Sequence, residues 1–116
     1  MPSVNTRQRR SHRLLLDVTL IVRGESIEKQ PFQEETFTIV VSAHGALIVL
    51  AAKVRLGQTL LLMDPKTWDQ REGRVAHLGS PYGGLTQVGI ELTRPSPEFW
   101  PVSPPPDDWK ADSIDS

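Results

Sequence analysis

Two groups of polar residues in this 116-residue chain have the chemistry to bind a phosphorylated ligand. The first is a basic segment near the N-terminus, where Arg9, Arg10 and Arg13 occur with no acidic residue among them. Arginine pairs with phosphate or with the guanine edge through two parallel hydrogen bonds, and its flat guanidinium stacks on purines. Because Arg9 and Arg13 are four residues apart, a loop that folds back would direct both at one anion. Arg10 would either make a further phosphate contact or remain solvated.

The second group is a short turn, Ala43-His44-Gly45, which Ser42 precedes. A serine hydroxyl and the exposed amides of a turn form a polar surface that suits an anionic ligand. The same residues also fit an ordinary hairpin, in which Ser42 caps its own backbone and Gly45 supplies a positive φ. The spacing alone leaves both interpretations open.

The common motifs of catalytic and metal sites do not occur in this sequence. There is no cysteine, and His12, His44 and His77 lack the spacing of a metal site on a helix or strand. Glu34 and Glu35 are adjacent, so on a strand they would point to opposite faces and could not act as a paired acid and base. We therefore expect a binding protein that has no catalytic residue, no metal and no cofactor.

The elements that must position these groups are β-strands, because apolar and polar residues alternate with period two along most of the chain. The predicted strands cover residues 13–23, 36–42, 46–50, 59–63, 68–78 and 86–93. Residues 24–34 and 79–84 are rich in turn formers and predict loops. Six strands joined by short turns, with no long helix, indicate a small all-β barrel or sandwich, and closure into a barrel would remove its edges.

The composition divides the chain into a basic arm at 1–12, a β-barrel at 13–94 and a Pro-rich acidic tail at 95–116. We expect Ser96–Trp100 to form one helical turn, with Phe99 and Trp100 packed against the barrel mouth as a plug. The rest of the tail should be extended or disordered.

The hydropathy of the chain predicts neither a secretory signal nor a membrane helix, since Asp17 interrupts the first apolar run and no run approaches about 18 residues. We therefore expect a cytoplasmic protein with no membrane insertion.

The arrangement of these motifs resembles the PilZ family. The features it shares are the Arg9-x-x-x-Arg13 arm before a long strand, the Ser42-x-x-Gly45 turn before apolar residues, and the closing strand Val88–Leu92. The resemblance covers about residues 7–94, which include the whole predicted core. It implies a six-stranded antiparallel split β-barrel that binds the bacterial second messenger cyclic di-GMP.

The resemblance also implies roles for individual residues. Arg9 and Arg13 would contact the phosphates and guanine bases, while Ser42 and Gly45 would line the opposite wall. The sequence departs from the family pattern at Val40, where the family has Asp or Asn. A lost bidentate contact to a guanine edge weakens binding by about 1–3 kcal/mol. His44 would compensate by stacking or hydrogen bonding, or would simply be exposed in the turn.

Three functions of different classes follow from these observations. The first is a sensor that binds cyclic di-GMP and relays it to an unidentified protein partner. The second is an adaptor that keeps the barrel but has lost the nucleotide, which Val40 favours and the retained arginines oppose. The third, a barrel that binds a nucleic acid polymer, is opposed by a net charge of −1.

Overall fold

Residues 13–101, the part of the chain that the computed structural model describes, form β-strands that are followed by one turn of 3-10 helix. The strands are β1 (Leu14–Leu15), β2 (Thr19–Glu25), β3 (Pro31–Ser42), β4 (Gly45–Leu50), β5 (Thr59–Met63), β6 (Gln70–Tyr82) and β7 (Leu85–Leu92), and the helical turn is η1 (Pro97–Phe99). The predicted arm at 1–12 and most of the predicted tail lie outside the described residues.

Six of the strands close into an antiparallel barrel. The hydrogen-bonded order is β3-β2-β5-β6-β7-β4, and β4 pairs again with β3 to complete the ring. Strand β1 is an extra strand that pairs with β3 through Leu14↔Val41 and Leu15↔Val40. The predicted all-β class and six-stranded barrel are therefore confirmed.

Alternate residues of the strands point inward and fill the barrel. Among them, Leu20, Val22, Val41, Ile48, Leu50, Leu62, Val75 and Val88 are 0 % exposed. Each buried side chain of this size contributes about 1.5–3 kcal/mol relative to an exposed one. This apolar core fixes which side chains remain on the outer face of the sheet, and those side chains include the candidate site.

The first predicted strand, at 13–23, is wrong as a single element, because residues 16–18 leave the sheet between β1 and β2. The side chain of Thr38 fills the break. Its hydroxyl accepts a hydrogen bond from the Val18 amide at 2.9 Å and donates one to the Leu16 carbonyl. Thr38 is 1 % exposed, so these bonds satisfy backbone groups that the sheet would otherwise have paired.

The two predicted loops are shorter than expected. Strand β3 begins at Pro31 in the predicted loop 24–34, and β6 extends to Tyr82 in the predicted loop 79–84. Most of these residues are exposed strand ends, which need no apolar alternation to form and therefore give no period-two signal.

The chain after the barrel returns to the core. The helical turn η1 and the packing of Phe99 and Trp100 are as predicted, since the two side chains are 5 % and 2 % exposed. Their rings meet edge to face at 5.0 Å, and the Arg71 guanidinium lies 5.1 Å from the Phe99 ring centre. Between residues 13 and 101, no helix is long and apolar enough to cross a membrane.

Candidate functional site

An open cleft lies on the solvent-facing side of the sheet, where β1, β3, β4, β6 and β7 run side by side. Its volume is about 810 Å³, within the range of about 300–1,000 Å³ that is usual for small-molecule sites. Arg13, Ser42, His44 and Gly45 all border it. The other two predicted site residues, Arg9 and Arg10, lie outside the described residues.

The pairing of β1 with β3 brings the end of the basic arm to the turn. Because Leu14 pairs with Val41, the preceding residue, Arg13, is level with Ser42. Arg13 is exposed at the cleft, so its guanidinium can reach an anion bound there. Two residues that are far apart in the predicted pattern are therefore adjacent in the fold.

Several segments fix the backbone of the Ser42–Gly45 turn. The Ser42 hydroxyl accepts a hydrogen bond from the His44 amide at 3.2 Å. The three carbonyls of Ser42, Ala43 and His44 accept further hydrogen bonds, from the Trp100 indole at 2.7 Å, the Ser96 amide at 2.9 Å and the Leu92 amide at 2.7 Å. The turn is thus held by β7 and by residues 96–100, which we call the C-terminal segment.

The predicted positive φ of Gly45 is wrong. The positive-φ glycines among the described residues are Gly57, Gly83 and Gly84. A side chain at Gly45 is excluded by close packing instead, since an added Cβ would lie 1.9 Å from the Ile90 carbonyl oxygen. Glycine at this position lets β4 approach β7 closely.

The wall of the cleft that β6 and β7 form, opposite Arg13, is polar. Its residues were not predicted as site residues. It consists of His77 on β6 and of Gln87 and Glu91 on β7, with Gly89 between the last two. Glu91 forms an ion pair with Arg74, which is its register partner on β6. The period-two alternation of β7 indicates that Gln87 and Glu91 face outward, but only the pairing of Glu91 with Gly45 on β4 shows that Glu91 lies beside the turn.

The wall of the cleft that β1, β3 and β4 form has an apolar part. Leu15, Val40 and Leu47 border the cleft and are successive register partners on β1, β3 and β4. Leu15 is 84 % exposed, so it presents an apolar side chain at the edge of the cleft. Within residues 13–101 no cluster of three or more His, Asp or Glu side chains could hold a metal ion.

The fold and its cleft define a small antiparallel β-barrel with a candidate ligand site on its outer face. No family model and no curated protein matches this chain. The structure of the Bacillus subtilis inhibitor of motility MotI/DgrA is similar, with a TM-score of 0.55, 17% identity, and coverage of 90% of this chain and 47% of that one. The K. pneumonia MrkH–c-di-GMP complex is also similar, with a TM-score of 0.55, 12% identity, and coverage of 91% and 49%. This chain therefore spans about half the length of either.

Proposed function

We propose that this chain is a non-catalytic module that binds cyclic di-GMP in the cleft and relays its presence to a protein partner. The observation that carries the proposal is the β1–β3 register, which sets Arg13 level with Ser42 beside the fixed turn. A ligand with two phosphates and two guanines needs cationic, planar donors and polar turn groups, and this cleft offers both. Since the ligand is a bacterial messenger, we also propose a bacterial cytoplasmic setting.

The comparisons support the same assignment. The barrel implied by the PilZ resemblance is the barrel observed, and one similar structure is a complex with c-di-GMP. Arg9 and Arg10 would approach the ligand from the arm that continues Arg13. Ligand binding would change the surface offered to the partner.

An adaptor that acts only through protein contacts is the second candidate. An apolar surface around β1 supports this candidate. Leu15 is 84 % exposed and Phe37 is 45 % exposed there, and both residues line a small recess. Val40 adds to it, because an apolar residue stands where the resemblance expects a guanine-binding one. In this case Arg13 and the turn would serve the fold and not a nucleotide.

Isothermal titration with cyclic di-GMP separates the two candidates. We expect saturable binding by the full chain and about 10-fold or greater weakening in Arg13→Ala, because a charge-assisted hydrogen bond contributes about 1.5–3 kcal/mol. Arg23→Ala is the matched control, since Arg23 is also exposed but lies on β2 and does not border the cleft. Absence of binding by folded wild-type protein would reject the sensor and leave the adaptor.

A further inference from the structure

The outer face of the sheet carries two parallel rows of residues at the cleft. Each row follows the register from β1 across β3, β4 and β7 to β6. One row, at the turn, consists of Arg13, Ser42, Gly45, Glu91 and Arg74. The other row lies two residues away from the first on each strand, or three residues away on β6, where a bulge intervenes. It consists of Leu15, Val40, Leu47, Gly89 and His77. The first row is polar and the second is mainly apolar.

The polar row has a cation on one side of the turn and a carboxylate on the other, and Arg74 at the end of the row pairs with that carboxylate. Arg13 is level with Ser42 on one side, and Glu91 pairs with Gly45 on the other. Neighbouring strands are about 4.8 Å apart, so Ser42 and Glu91 are separated by roughly 10 Å, with only the glycine between them. A ligand of nucleotide size can therefore touch both sides at once.

A carboxylate is unfavourable in a site for an anionic ligand unless it makes a specific contact with that ligand. It repels the phosphates, and it is favourable only where the ligand presents N–H donors, because an ionised carboxylate accepts hydrogen bonds and donates none. Guanine presents two such donors side by side, the N1–H and the N2 amino group, whereas adenine has an acceptor at N1 and no amino group at C2. A purine face would then lie over the apolar row, in which Gly89 pairs with Leu47 on one side and His77 on the other.

Resting on the proposed function, we propose that Glu91 reads the Watson–Crick edge of a guanine of the ligand and makes the cleft select guanine over adenine. It replaces from β7 the contact that Val40 cannot make from β3. Arg74 is the positioning residue, because its ion pair with Glu91 holds the carboxylate from the side away from Gly45. The group that binds the guanine edge therefore lies on β7, whereas the PilZ resemblance implies one on β3, at the position of Val40.

The test compares cyclic di-GMP and cyclic di-AMP as ligands of the full chain. We expect wild-type protein to bind cyclic di-GMP at least ~10-fold more tightly, which is the lower part of the range for one bidentate base contact. Glu91→Gln should weaken cyclic di-GMP binding by ~10-fold and reduce the ratio of the two affinities, because the amide offers one acceptor and adds a donor. Arg74→Ala should change the ratio in the same direction by less.

Glu72→Gln is the matched control, since Glu72 is exposed on the same strand as Arg74 and pairs with Leu61, away from the cleft. The affinity ratio distinguishes reading of the base from a structural role, because a loosened fold weakens both ligands alike. An unchanged ratio in Glu91→Gln, with wild-type binding intact, would overturn this inference and leave the proposed function standing. If wild-type protein binds neither ligand, the proposed function fails, and the inference with it.

Discussion

Two hairpin turns of this barrel have the same length and very different surroundings. Ala43-His44 joins β3 to β4, and Gly83-Gly84 joins β6 to β7. In the first, Ala43 is 0 % exposed and neither residue has a positive φ. In the second, both residues have a positive φ, of 61° and 83°, and a side chain added to either would meet no atom within 4 Å.

The difference shows which turn the rest of the fold supports. Gly83-Gly84 forms by its own backbone preference, because glycine adopts positive φ without steric cost. Ala43-His44 depends on hydrogen bonds from Leu92, Ser96 and Trp100, all of which are distant in sequence. A hairpin needs no such support to turn the chain. A binding site does, since groups that are already fixed need not be ordered when the ligand arrives.

The largest expected effect is a difference in stability between substitutions at the two turns. Gly45→Ala should reduce the free energy of unfolding by about 3 kcal/mol or more, because its Cβ would meet the Ile90 carbonyl and the two strands would have to move apart. Gly84→Ala should cost only about 1 kcal/mol, the price of a positive φ in open space. Urea unfolding followed by circular dichroism measures both. Equal losses would mean that β4 and β7 adjust easily and that the supported turn is not rigid.

The next effect tests the support that comes from the C-terminal segment. Trp100→Phe keeps a buried aromatic ring but removes the indole N–H that binds the Ser42 carbonyl at 2.7 Å. Stability should fall by about 1–3 kcal/mol, because a partly buried carbonyl is left without this partner. The affinity for cyclic di-GMP should fall as well, since the turn loses its position.

Trp68→Phe is the control for this substitution. Trp68 is 65 % exposed on the connection between β5 and β6, so its replacement should change stability by less than about 0.5 kcal/mol and leave the affinity unaltered. If Trp100→Phe were as mild as Trp68→Phe, the C-terminal segment would only cover the core and would not support the turn.

The same contrast between local preference and support from distant residues explains which features could be predicted from the sequence. The barrel follows from period-two alternation, and the Ser42–Gly45 turn follows from local composition, so both were predictable. The break at 16–18 was not, because it depends on the hydroxyl of Thr38, whose position opposite Leu16 is a tertiary fact. Gly45 was correctly singled out but for a local reason, whereas its real constraint is the Ile90 carbonyl on another strand.

The candidate site divides in the same way. Arg13 and Ser42 were predicted as site residues from motif spacing along the chain, and both border the cleft. Glu91 was not, since its position beside the turn depends on the pairing of β4 with β7. Such pairings join distant parts of the chain, and a local pattern contains no information about them.

The smallest effect on stability tests whether Ser42 serves the turn or the ligand. Ser42→Ala removes one hydroxyl acceptor from the His44 amide, and it should cost only about 0.5 kcal/mol because three other hydrogen bonds still fix the turn. Ser26→Ala is the matched control, since the Ser26 hydroxyl accepts amide hydrogen bonds in the same way in the turn between β2 and β3. We expect calorimetric titration to show weaker cyclic di-GMP binding in Ser42→Ala alone. If both variants bind like wild type, the hydroxyl of Ser42 only caps its turn, and the ligand contacts there must come from the backbone.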